Sequence, residues 1–115
     1  MARNRYYIKV ADLAHARGAD SQLTWAGSDP QDLAVTLQTA LRTDALFGRW
    51  RAAQPDPDAV DPALAQSDPA ATVSAEVADL HTEVELVTDL PMRALRHRLD
   101  VLIGANWMLR DLRAA

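Results

Sequence analysis

The first clear pattern along the chain is an alternation of side chains over residues 5–10. Tyr6, Ile8 and Val10 would share one face, and Arg5, Tyr7 and Lys9 the other. This period of two is typical of a strand with one buried face. A shorter alternation over residues 22–25 places Leu23 and Trp25 on one side. The two segments together predict the strands of a loose hairpin.

A helical period begins after this predicted hairpin. Asp29 can cap the free amides of a first turn, and Pro30 suits the first helical position. Apolar residues then recur at helical spacing, but Asp44 interrupts the apolar stripe. The pattern predicts a helix over residues 30–52 with a joint at residues 43–44.

Residues 72–88 fit two different patterns. A helical stripe with steps of four and three would run through Val73, Val77, Leu80, Val84 and Val87. An alternation of period two runs instead through Leu80, Thr82, Val84 and Leu86. The residues before this alternation are out of phase with it, so a strand requires a bulge or bend near residues 78–79. Because β-branched residues are frequent here, we favour the strand and keep the helix as the alternative.

The last part of the chain predicts one more helix and one more strand. Leu90-Pro91 opens a segment with one apolar face, and Gly104 is suited to end it. Residues 106–112 predict the last strand. The element order is then β-β-α-β-α-β, which indicates an α+β fold with a mostly antiparallel sheet and two main helices on one face. A ferredoxin-like arrangement is the nearest generic architecture, by analogy only.

The length of 115 residues predicts a single α+β domain over residues 1–115. Within it, residues 54–69 form a connector rich in proline and aspartate. An EF-hand calcium loop counted from Asp56 would need glycine at the position of Asp61 and a bidentate acid at that of Ser67, so this pattern fails. The Asp-Pro pairs of the segment instead favour an ordered connector; a weak cation site and a disordered segment are the alternatives.

Composition and charge narrow the class of protein. The chain has no cysteine, which excludes disulfides and thiolate metal sites, and it shows no signal-peptide pattern and no apolar run of membrane-spanning length. These features predict a soluble protein of the bacterial cytoplasm without a membrane partner. The net charge is −4, with basic segments at residues 1–17 and 93–115 and acidic segments between them. An acidic balance disfavours a dedicated nucleic-acid binder.

The strand patterns define one candidate surface. If both helices cover one face of the sheet, the other face is open and carries Arg5, Tyr7, Lys9, His81, Glu83 and Glu85. Their opposite charges favour cross-strand ion pairs or a protein-interaction surface. We expect a homodimer through this face, formed by Tyr7, Lys9, Glu83 and Glu85. The sequence His81-x-Glu83-x-Glu85 is also a weak metal-binding candidate, but three ligands in line on one strand would need a further ligand from elsewhere.

Other chemistry finds little support in the sequence. No serine lies in a nucleophile elbow, and the glycines are scattered singly, so we expect no catalytic residues, no cofactor and no bound metal. A basic cluster comprises Arg93, Arg96, His97, Arg98, Arg110 and Arg113. The sequence therefore predicts a non-catalytic interaction or accessory module whose partner is a second copy or another protein. The alternatives are a nucleic-acid-binding regulator that uses the basic cluster and a metal-dependent enzyme.

Overall fold

The computed structural model describes residues 3–115; residues 1 and 2 of the predicted domain lie outside the described residues. Four strands form one antiparallel sheet, and three α-helices accompany it. In chain order, the elements are β1 (Asn4–Val10), α1 (Pro30–Arg42), α2 (Ala45–Ala52), β2 (Thr72–Ala78), β3 (His81–Thr88), α3 (Met92–Ile103) and β4 (Met108–Ala114). Short 3-10 turns occur at Leu13–His15, Pro57–Ala59 and Pro62–Ala65. The predicted α+β class is confirmed.

The strand order is β2-β3-β1-β4, with every neighbouring pair antiparallel. If α1 and α2 count as one interrupted helix, the chain order is β-α-β-β-α-β and not the predicted β-β-α-β-α-β. β3 lies between β1 and β2, which are joined by the first helical segment. This is the split β-α-β arrangement of ferredoxin-like folds, an analogy of architecture that carries no function.

The strand predicted at residues 22–25 is wrong. Leu23 and Trp25 are buried as the alternation suggests, but they belong to a loop that packs against the end of α3. The Trp25 backbone amide donates to the Leu102 carbonyl at 2.9 Å, and the Trp25 indole donates to the Asp32 carboxylate at 2.7 Å. Tertiary contacts of a loop thus produce the same alternation as a strand, which is why the pattern misled.

Residues 72–88 form a hairpin, so the helix alternative is wrong and the single bent strand needs correction. β2 and β3 pair from Thr72 opposite Val87 to Ala78 opposite His81. The chain reverses at Asp79, which has a positive φ of 56°. Asp is one of the few side chains that adopt this conformation readily. The out-of-phase apolar residues were therefore the signal of two strands.

The helix predictions are confirmed within a residue or two. The predicted joint at residues 43–44 separates α1 from α2, and the Asp29 carboxylate accepts the Gln31 amide at 3.1 Å. α3 ends at Gly104, where φ is 66°. A Cβ there would lie 2.6 Å from the Arg17 carbonyl oxygen, so only glycine fits without displacement. The last strand runs two residues later than predicted, over Met108–Ala114.

The hydrophobic core lies between the sheet and the helices. One face of β1 and β3 supplies Tyr6, Ile8, Val10, Val84 and Leu86, all of them buried. The facing helices supply Leu33, Leu37, Leu41, Leu95, Leu99 and Ile103. Because the helices of residues 3–115 lie over this one face, no element in that part of the chain covers the opposite face of the sheet.

A buried carboxylate anchors the end of the connector to the sheet. The Asp68 side chain is 4% exposed and accepts hydrogen bonds from Arg3 at 2.8 Å and from the Thr88 hydroxyl at 2.8 Å. The backbone amides of Ala70 and Asp89 also donate to it. Burial opposes ionisation, but these donors outweigh it and hold the pKa of Asp68 at about 2.

A buried arginine anchors the middle of the connector to the helices. Arg98 of α3 is fully buried and donates to three backbone carbonyls, those of Ala40, Leu64 and Gln66. The bonds to Ala40 and Gln66 measure 3.0 and 2.7 Å. Burial lowers the pKa of Arg98, and the carboxylate of Asp44 opposes that effect. One guanidinium therefore connects α1, α3 and the connector.

His97 is the polar member of an aromatic cluster. Its ring centroid lies 4.2 Å from that of Trp50 and 6.0 Å from that of Phe47, and neither ring nitrogen has a hydrogen-bond partner within residues 3–115. Burial, and secondarily the charge of Arg98, lowers the pKa of His97, while Asp100 raises it. The folded state therefore favours the neutral imidazole.

This cluster predicts a pH-dependent stability. As the pH falls below 6.5, the unfolded chain takes up a proton at His97 before the folded chain does, so the free energy of unfolding decreases. His97→Phe should remove this part of the decrease, measured by urea unfolding at about pH 7.5 and about pH 5.5. His15→Gln, at an exposed position, is the control and should keep the wild-type decrease. An equal decrease in wild type and His97→Phe would contradict the prediction.

Candidate interaction surface

The open face of the sheet presents side chains from all four strands. Buried positions on β3 alternate with His81, Glu83, Glu85 and Val87, which point to this face. The register with β1 sets Lys9 opposite Glu83, Tyr7 opposite Glu85 and Arg5 opposite Val87. All the residues that the sequence predicts for this surface therefore share one face.

The outer strands extend the surface. β2 adds Ser74 opposite Glu85 and Glu76 opposite Glu83. β4 adds Asp111 opposite Tyr7 and Arg113 opposite Arg5. Arg110 lies at the bulge that precedes Asp111. Sequence reasoning missed the members of this face on the outer strands: Ser74, Glu76, Arg110, Asp111 and Arg113. The alternation of polar and apolar residues along β2 was the available signal, and the unrecognised hairpin concealed it.

Charge on the open face is divided between two halves. The acidic half, formed by β2 and β3, carries Glu76, Glu83 and Glu85 and has no lysine or arginine. The basic half, formed by β1 and β4, carries Arg5, Lys9, Arg110 and Arg113, with Asp111 as its one carboxylate. The boundary between the halves runs along the contact of β3 with β1.

Intramolecular ion pairs neutralise this surface only in part. Arg5 pairs with Glu85 at 3.0 Å across the boundary, and His81 Nε2 lies 3.3 Å from Glu83 Oε1. Among the residues that the structure describes, Lys9 forms no ion pair although Glu83 lies opposite it. Glu76 also lies opposite Glu83, and like charges in such positions repel. The surface thus keeps unsatisfied charge of both signs.

A groove of about 460 Å³ crosses the open face. Its lining includes Tyr7, Ser74, Glu76, Glu83, Glu85 and Arg110. The half-buried Tyr7 is the aromatic residue of this face, and the Arg113 guanidinium carbon lies 5.6 Å from its ring centroid. A groove with an aromatic floor and polar walls can receive side chains of a protein partner.

The candidate metal ligands do not converge. Within residues 3–115, no group of three or more histidine, aspartate or glutamate side chains could hold a metal ion. His81, Glu83 and Glu85 follow one another along a single strand, and the partners of His81 and Glu85 are Glu83 and Arg5. A strand places such side chains in a row and not around a point, so they suit ion pairing.

The predicted basic cluster is divided between the two layers of the fold. Arg93 pairs with Asp61, and Arg96 lies over the ring of Trp107 at 5.9 Å, both on the helical layer. His97 and Arg98 point into the interior. Arg110 and Arg113 belong to β4 and contribute to the open face, beside its carboxylates. The structure therefore does not bring these residues together into one phosphate-binding surface.

The free edge of the sheet at β4 is partly closed by a side chain. Ala115 donates its amide to the Arg3 carbonyl, so the amides at alternate positions, including that of Leu112, point to the free edge. The Asp111 carboxylate accepts the Leu112 amide at 2.8 Å and pairs with Arg113 at 2.8 Å. The hydrogen bond from Arg113 lowers the pKa of Asp111. A bulge in the pairing with β1 also makes this edge irregular.

No known protein family, curated protein or solved structure matches this chain. Over residues 3–115, none of the helices has the length and apolar character needed to cross a membrane. The inference about function therefore rests on the open face of the sheet.

Proposed function

We propose that the protein is a non-catalytic interaction module that associates with a second copy of itself through the open face of its sheet. The observation that carries this proposal is the division of that face into an acidic and a basic half. A surface with both signs in separate halves can be complementary to itself, and complementary potentials steer association and fix register. A nucleic acid would meet the carboxylates of the acidic half.

The size of the face predicts a weak association. Strands about 4.8 Å apart and about seven residues long give this face a footprint of roughly 450 Å². Stable interfaces bury about 800 Å² on each partner, and smaller ones are typical of transient contacts. Charged side chains also lose hydration when they are covered. We therefore expect a dimer with a dissociation constant in the micromolar range, weakened by salt.

Charge reversal at Lys9 tests this proposal. Lys9→Glu should weaken the dimer by about 10-fold or more, because a cation that faces carboxylates becomes an anion. Sedimentation velocity over a concentration series measures the dissociation constant. Arg96→Glu introduces the same charge change on the helical layer and should leave the dimer unchanged. A wild-type monomer at every concentration, or a dimer that Lys9→Glu does not alter, would refute the interface.

A further inference from the structure

We infer that the two copies pack face to face about a two-fold axis parallel to the strands, so that the acidic half of each covers the basic half of the other. This inference rests on the proposed function and adds the symmetry of the assembly and the residues that meet in it. The division of charge on the open face identifies the partner as a second copy, because each half is complementary to the other.

Symmetry leaves two simple choices for such a dimer. Sheets that pack face to face in the aligned manner keep their strand directions within about 30°. The two-fold axis then lies between the sheets, either parallel or perpendicular to the strands. A perpendicular axis sets each strand against its own copy, so β2 and β3 would place carboxylates against carboxylates. A parallel axis reverses the strand order, so β3 covers β1 and β2 covers β4.

The register within each copy identifies the contacts across the parallel axis. Lys9 and Glu83 occupy the same level of the sheet, so Lys9 of each copy meets Glu83 of the other. This contact occurs twice in the dimer. At the next level, the Tyr7 hydroxyl meets Glu85 of the second copy. Lys9, which forms no ion pair among residues 3–115, thereby gains a carboxylate partner.

The outer strands support the same arrangement. The parallel axis brings β4 over β2, where Met108 lies at the level of Glu76 and Arg110, at the adjoining bulge, is the nearest cation. Within one copy, Glu76 lies opposite Glu83, which repels it. Arg110 of a second copy would offset that repulsion. A perpendicular axis at the level of Tyr7 would instead bring Lys9 to the level of Arg5 of the second copy and increase the repulsion.

A mixing experiment tests the axis. Lys9→Glu alone and Glu83→Lys alone each replace two attractive contacts by two repulsive ones, so each variant should dimerise about 10- to 100-fold more weakly than wild type. In the mixture, one copy supplies glutamate at both positions and the other supplies lysine at both. Both contacts are then attractive, and the mixed dimer should form with an affinity near that of wild type.

Native mass spectrometry of a mixture with one copy isotopically labelled would measure the mixed dimer, and sedimentation velocity would give its affinity. The control is a mixture of Glu83→Lys with Arg96→Glu, which should form no favoured mixed dimer. A wild-type monomer would refute the proposed function itself. A wild-type dimer whose two single variants fail to prefer each other, or a dimer strengthened by Lys9→Glu, would refute the parallel axis and leave self-association standing.

Discussion

Arg98→Met should lower the free energy of unfolding by about 3 kcal/mol or more. Methionine fills much of the same volume, but it cannot donate hydrogen bonds to the carbonyls of Ala40, Leu64 and Gln66. A buried carbonyl left without a donor costs about 1–3 kcal/mol, and the loss at Ala40 with the smaller losses at the part-buried carbonyls of Leu64 and Gln66 outweighs the gain from removing a buried charge. Urea unfolding followed by tryptophan fluorescence would measure the change.

Two further variants make this prediction specific. Arg96→Met changes the neighbouring exposed arginine and should alter stability by less than about 0.5 kcal/mol. Arg98→Lys should recover only part of the loss, because an ammonium group on a flexible stem does not reproduce the planar set of donors of a guanidinium. Equal stability of Arg98→Met and Arg96→Met would show that the carbonyl contacts contribute nothing.

Asp68→Asn should lower the free energy of unfolding by about 3 kcal/mol near neutral pH. The amide removes the negative charge that Arg3 faces, and its nitrogen cannot accept from the Thr88 hydroxyl and the Asp89 amide as the carboxylate oxygen does. Asp58→Asn is a matched control in the same connector, because Asp58 is 98% exposed. This substitution should change the free energy of unfolding by less than about 0.5 kcal/mol. Urea unfolding of the two variants beside wild type gives the comparison.

Urea unfolding of wild type and Asp68→Asn at acid pH gives an independent check of the Asp68 contacts. The folded pKa of Asp68 is about 2, below its ordinary value of 3.8, so its contribution is present above pH 3.8 and is lost as the pH falls towards 2. Wild type should therefore lose stability across this window more steeply than Asp68→Asn does. Parallel curves for the two proteins would mean that the carboxylate is not held as the hydrogen bonds indicate.

Local patterns predicted most of the strands and helices because the apolar residues of each element repeat with the period of that element. The alternation of Tyr6, Ile8 and Val10 and the apolar stripe of α3 follow from burial of one face, which sequence records directly. The hairpin was not predicted because its turn, at Asp79, contains no glycine that would have indicated a turn. The loop at Trp25 was mistaken for a strand because its burial depends on Leu102, far away in the sequence.

The candidate surface shows the same division between local and distant information. Strand alternation placed Lys9 and Glu83 on the open face, but the extension to Glu76 and Arg113 required the pairing of β2 and β4. Arg98 looked like a surface cation because its partners are backbone carbonyls, two of them in the remote connector, and no side chain in the sequence signals them. Every residue has a backbone carbonyl, so the sequence does not show which carbonyls accept hydrogen bonds from a side chain.

The Asp111 carboxylate at the edge of β4 has a consequence for the size of the assembly. If two copies also joined β4 to β4 along this edge, the axis of that contact would be perpendicular to the sheet and would not meet the axis of the face contact. Two axes that do not intersect generate an endless fibre and no closed complex. By occupying the Leu112 amide, Asp111 withholds one of the hydrogen-bond donors that such growth would use, so we expect the proposed association through the open face to end at a pair.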